Sequence, residues 1–259
     1  ALGIRSLIVR HLGLDANGIY QAAIGISTIF GGLVLGAMST DFYPHLTATV
    51  RDHAAATRLV NDQTEIGLLL ALPGLQATLA FAPWLVRLFY SGDFISGSAL
   101  LPWYVVSVLC RMVTFPLGYV LVAKGAGARY ALITSGFHII NLAGCAILIP
   151  SQGLLGVATL NTCVSIIYLA GMRATAGPLI DFTWAAGTKK LMVAAFALAA
   201  AGVLCAAQLP PTAATIAGTA LTLASCVVCA RSAVQRLDSR HRLVRLLSRI
   251  PVVNRVCGL

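Results

Sequence analysis

Stretches of about 20 mostly apolar residues recur along this chain, and each is long enough to cross the hydrocarbon core of a bilayer as a helix. Seven qualify: residues 18–40, 66–90, 99–123, 130–150, 153–172, 191–208 and 213–230. Only Ser151 and Gln152 separate the fourth from the fifth, so these two form a tight helical hairpin. The sixth and seventh meet at Pro210-Pro211, which predicts a second one. Composition agrees: 58% of the 259 residues are hydrophobic, 10% are charged, and the mean hydropathy is +0.87. A water-soluble domain carries about 25% charged residues. The expected fold class is therefore all-α, a polytopic transmembrane bundle of about seven helices, and a soluble enzyme, a disordered regulator and a disulfide scaffold are excluded.

The net charge of +10 acquires meaning once the spans are laid out. Cytoplasmic loops of membrane proteins carry an excess of Lys and Arg. Fourteen of the 18 basic residues fall after the first, third and fifth spans or in the C-terminal tail. Arg5, Arg10 and Arg87 fall on the opposite side, and Arg111 lies within a span. The C-terminus is expected in the cytoplasm, with the segment before residue 18 outside. Residues 1–17 read as the end of a preceding helix and an outer-side loop, residues 18–230 as the bundle, and residues 231–259 as a basic cytoplasmic tail. A chain that starts outside is expected to be the C-terminal part of a longer protein; a seven-span protein with its N-terminus outside is the alternative. The tail alternates Arg with Leu, Val and Ile, the pattern of an amphipathic helix on an anionic lipid surface. It lacks the aromatic residues that stack bases, so no nucleic-acid partner is expected.

Polar residues inside the spans are the candidates for function, because they are costly there and turn toward the bundle interior or a water-filled cavity. Arg111 is foremost. It stands about eleven residues from either end of its span, roughly 16 Å at 1.5 Å per residue, farther than a guanidinium can snorkel. No acidic residue occupies the middle of another span to pair with it. It reads either as a cationic site for an anionic substrate or as a residue bonded to neighbouring carbonyls or to an acid outside this sequence. His138 and Asn141 share a face at i and i+3, and Gln76 and Asn161 are further polar side chains at depth. Each has a plain alternative in interhelical hydrogen bonding. Asp41 and Glu65 flank the loop after the first span and are expected at the membrane interface. Gly32 and Gly36 form a GxxxG at helix-contact spacing.

No cofactor, metal site or catalytic centre is expected. The Cys226-x-x-Cys229 pair sits in a span without a second ligand pair. Phosphate-binding loops, nucleophile elbows and zinc-protease motifs are missing, and the outer loops are too short to assemble a polymerase or ligase site.

Several short segments then line up. Gly13-Leu-Asp-Ala-Asn-Gly-Ile-Tyr-Gln-Ala-Ala23 resembles an LG…GxYxxA pattern, and Gly36 to Leu46 resembles a helix ending in P-x-L-[ST]. Leu121-Val-Ala-Lys-Gly-Ala126 and the hairpin Pro150 to Ala158 follow in order. Together, over about residues 5–175, they resemble the O-antigen (Wzx-type) flippases of the multidrug/oligosaccharidyl-lipid/polysaccharide exporter superfamily. The resemblance implies one lobe of a two-lobe exporter whose N-terminal lobe is the missing partner. It implies alternating access, with an undecaprenyl-pyrophosphate-linked oligosaccharide as the anionic substrate and membrane lipids as surroundings. It would give Arg111 the pyrophosphate and His138 and Asn141 the sugar hydroxyls, with Gln76 a further substrate-binding candidate. A drug or metabolite exporter, a peptidoglycan-precursor flippase, a membrane polysaccharide polymerase and a non-catalytic scaffold are the alternatives.

Overall fold

The computed structural model describes residues 2–90 and 92–236, and these form helices joined by short turns. In chain order they are α1 (Leu2–Thr49), α2 (His53–Ala80), α3 (Ala82–Phe89), a 3-10 turn (Gly92–Leu100), α4 (Leu101–Ala123), α5 (Gly127–Ala176), a 3-10 turn (Gly177–Leu179), α6 (Ala186–Gln208) and α7 (Pro211–Arg236). Five of these segments are long and apolar enough to cross a membrane, and α2 with α3 makes a sixth if that pair, bent by 84°, counts as one span.

The seven predicted spans map onto these elements once α2 and α3 are taken as one span and the break inside α5 is recognised. Gly153 (φ 59°, ψ −142°) interrupts α5. Beyond it the chain folds back antiparallel: Asn141 bonds Asn161, Thr134 bonds Tyr168, and an added Cβ at Gly144 would strike Leu160. The predicted hairpin at Ser151-Gln152 is this reversal, and its positive φ suits glycine. Gly13 (φ 90°) breaks α1 in the same way. Residues 2–12 are helical up to that break, and helix resumes directly after it, so a one-residue kink stands where an outer-side loop before residue 18 was expected. The bend between α2 and α3 falls at Phe81, just ahead of Pro83, which cannot supply a backbone donor to extend α2. Asp52 caps α2 by accepting hydrogen bonds from the Ala54 and Ala55 amides, both at 3.0 Å.

The core forms three layers along the bundle. At one end Phe42, Leu46, Leu117, Leu121 and Met172 cluster near Lys124. In the middle Leu68, Leu72, Leu75, Leu109 and Met112 join α2, α4 and α6. At the other end Ile8, Tyr20, Leu101, Cys145 and Ile149 cluster near Gly153. The 92–123 segment is central, with 72% of its most apolar stretch buried against 17% for α5 and α7. The outer helices instead turn Leu132, Ile139, Ile147, Val193 and Ile216 outward, as helices facing lipid do. Close helix approach runs through other glycines than the predicted pair. Gly32 and Gly36 face open space, whereas a Cβ on Gly31 would lie 2.5 Å from Val108, on Gly74 2.5 Å from Phe30, and on Gly218 2.7 Å from the Ala80 backbone.

The basic tail falls beyond Arg236 for most of its length, and its predicted amphipathic helix lies outside the described residues.

Candidate functional site

The site is built on one stripe of α4. Tyr104, Ser107, Val108, Arg111, Thr114, Phe115, Gly118, Tyr119 and Val122 follow one another at three- and four-residue steps or share a turn, so they line a single face. That face looks onto α1 and the two halves of α5. Between them lie two adjoining cavities of about 370 and 320 Å³, which share Arg111, Thr114, Tyr130 and Tyr168.

Arg111 stands at the midpoint of α4 and is the hinge between the cavities. Its side chain is exposed to them, and it makes no hydrogen bond or ion pair among the described residues. A cation placed at the centre of a membrane helix costs about 2.5–3.5 kcal/mol on insertion scales. A guanidinium offers five donors in a planar fork that matches a phosphate or carboxylate.

The larger cavity, toward the Gly153 end, mixes polar side chains such as Ser107, Thr134, Asn141 and Asn161 with apolar ones. His138 lines it and is exposed. Asn141 also lines it, but its amide is already engaged: Nδ2 donates to Asn161 Oδ1 at 3.1 Å, and Oδ1 accepts from Cys145 Sγ at 3.6 Å. Asn161 Nδ2 donates in turn to Ser107 Oγ at 2.9 Å, and Thr162 Oγ1 donates to the Trp103 carbonyl at 2.8 Å. This chain of bonds ties both halves of α5 to α4 and holds the wall of the cavity in shape. The smaller cavity, toward Lys124, is aromatic, lined by Phe115, Tyr119, Tyr130 and Tyr168.

Three of the four predicted site residues thus line one cavity. Gln76 does not. It is 1% exposed on α2, where a Cβ added to Gly202 of α6 would meet its Oε1 at 3.0 Å, and its Nε2 has no partner among the described residues. The packing of α6 on α2 closes it off, a contact that one span's sequence does not reveal. The same packing covers Glu65, which is 8% exposed; Thr188 Oγ1 of α6 donates to its Oε1 at 2.6 Å. Asp41 does lie exposed, 3.3 Å from His45. Ser107, Thr134, Tyr130 and Tyr168 carry no expectation from sequence. The first was legible, one turn before Arg111 on the same face; the tyrosines depend on how α5 folds back.

No group of three or more metal-ligating side chains occurs among the described residues.

Two curated proteins align with this chain, each 24% identical over 172 residues. Both carry the name lipid III flippase, one from Escherichia coli (strain K12) and one from Shigella flexneri. The chain is similar to lipid flippases. The alignment takes in 64% of this chain but 40% of each relative, so the chain spans about two fifths of the length of the proteins it matches. No family model and no solved structure matches it.

Proposed function

We propose that this chain is the C-terminal lobe of a flippase that moves an undecaprenyl-pyrophosphate-linked oligosaccharide across the bacterial inner membrane. The observation that carries the reading is Arg111: a guanidinium at the midpoint of an apolar helix, without hydrogen bond or ion pair among the described residues, facing a cavity lined by polar and aromatic side chains. Such a group is costly unless something anionic visits it. A pyrophosphate supplies that charge and accepts paired hydrogen bonds. The similarity to proteins named lipid III flippase supports the same class of cargo. O-antigen or a related surface polysaccharide unit is the specific substrate proposed. His138 lines the larger cavity beside that guanidinium, and Asn141 shapes its wall. The lipid tail stays in the bilayer while the head passes through the cavity by alternating access between two lobes. The end carrying Arg51, Lys124, Arg129, Arg173, Lys189 and Lys190 is cytoplasmic under the positive-inside rule.

A peptidoglycan-precursor flippase is the second reading, since a lipid-linked pyrophosphate makes the same demands on Arg111. The test is Arg111→Ala and Arg111→Lys in the full-length gene. Loss of surface polysaccharide in the Ala variant at normal protein level, with partial rescue by Lys, is expected. Unchanged export in the Ala variant contradicts the cationic site. Unchanged polysaccharide with impaired cell-wall synthesis moves the assignment to the second reading.

A further inference from the structure

We infer that the aromatic cavity on the Lys124 side of Arg111 is a saccharide-stacking subsite, which takes the sugar ring joined to the anion held at Arg111. The inference rests on the proposed lipid-linked substrate and adds where its sugar binds.

Four of the eight residues lining this cavity are aromatic, although aromatic residues make up 7% of the chain. The remaining lining includes Arg111 and Thr114 and contains no carboxylate to repel an anion. Because the two cavities share Arg111, a group bonded to a phosphate at that guanidinium enters this chamber directly.

The chamber is preformed. The Tyr130 ring lies against the α4 backbone, where Gly118 makes room for it; a Cβ on Gly118 would stand 3.0 Å from Tyr130 Cε2. The Tyr168 hydroxyl is held 3.1 Å from Thr134 Oγ1. Tyr119 is braced by Phe115, Tyr43 and Phe42, with ring centroids 4.8, 5.5 and 5.9 Å away. Rings already fixed in place lose little freedom when a ligand binds.

The chemistry favours a sugar over a polyprenyl tail. The C–H face of a pyranose carries slight positive charge and meets the negative face of an aromatic ring. Three of the four rings are tyrosines, each a flat apolar surface with a hydroxyl at its edge. An isoprenoid chain needs only aliphatic surface, and α5 turns that outward at Leu132, Ile139 and Ile147 instead.

The experiment uses the full-length protein in detergent and two probes: undecaprenyl pyrophosphate, and the same lipid carrying a disaccharide. Wild type is expected to bind the glycosylated probe about tenfold more tightly, the yield of two stacked rings. Tyr119→Leu and Tyr130→Leu each reduce that preference to about threefold, and Tyr119→Leu, which alters the smaller cavity alone, leaves the bare probe's affinity unchanged. Gly118→Ala, which pushes on the Tyr130 ring without removing one, reduces it partway, and Tyr130→Phe retains it. The last two keep the test decisive if a Leu variant fails to fold. Equal affinity of wild type for both probes, or a preference that survives the ring changes, overturns the subsite. So does an equal loss of both probes, which would put the lipid or a purely structural role in the chamber. If wild type binds neither probe, the flippase reading itself falls.

Discussion

Asn61 on α2 and Arg111 on α4 are both polar side chains on apolar helices, yet their surroundings differ completely. Asn61 is 4% exposed, and both the nitrogen and the oxygen of its side chain are bonded. Its Nδ2 donates to the Thr57 carbonyl at 2.8 Å and the Thr183 carbonyl at 3.0 Å, and its Oδ1 accepts from the Ala185 amide at 2.9 Å. It pins the start of α6 to α2. Arg111 faces open cavity with nothing bonded to its guanidinium among the described residues. The first arrangement is self-sufficient and stabilises packing. The second leaves a guanidinium open, and that opening is the basis of the proposed anion site. A polar residue in a membrane helix is therefore informative through its partners rather than through its polarity.

The contrast can be broken at both ends. The largest effect is expected at Arg111→Glu. Under the proposed function, reversing the charge abolishes polysaccharide export, while thermal unfolding of the purified full-length protein stays within a few degrees of wild type, because the side chain makes no hydrogen bond or ion pair among the described residues. A large drop in melting temperature would give Arg111 a packing role. Its neighbour Met112 points the other way, 0% exposed in the central layer. Met112→Ala should destabilise by about 2–5 kcal/mol, read as lower melting temperature and protein level, with affinity for the pyrophosphate probe retained in the folded fraction. Asn61→Ala leaves the Thr183 carbonyl and Ala185 amide short of partners and should cost about 1–3 kcal/mol, again without changing probe affinity. The smallest effect is at Asp52. Hydrogen bonds from the Ala55 and Ala54 amides hold its carboxyl below the usual range. A depressed carboxylate stabilises above its ordinary pKa, and that contribution is lost as pH falls through the folded value. Asp52→Ala should therefore lower the melting temperature slightly at neutral pH, and the difference from wild type should vanish as both are acidified. A difference that persists in acid would remove the cap from the explanation.

Span positions were legible in sequence because lipid demands long apolar runs, and the reversal at Gly153 followed from the two polar residues before it. Helix partners were not. Gly32 and Gly36 have the spacing of a contact motif, but the helices meet at Gly31, Gly74 and Gly218, since contact depends on rotation about each axis. The same limit governs the site. Arg111 and His138 were identifiable from the cost of polarity at depth. That Asn141 would be tied to Asn161, and that Gln76 and Glu65 would be covered by α6, depends on which faces meet. Tyr130 and Tyr168 carry no signal of their own, because a tyrosine near a span end is ordinary.

The most direct measurement is transport itself. The full-length protein is reconstituted into vesicles, and a fluorescent undecaprenyl-pyrophosphate disaccharide is placed in one leaflet. Its appearance in the other is then followed for wild type and for Arg111→Ala. Rapid movement with wild type and movement no faster than protein-free vesicles with the variant, at equal incorporation, is the predicted result. Equal rates for the two proteins would contradict the assignment of Arg111 as the group that receives the substrate.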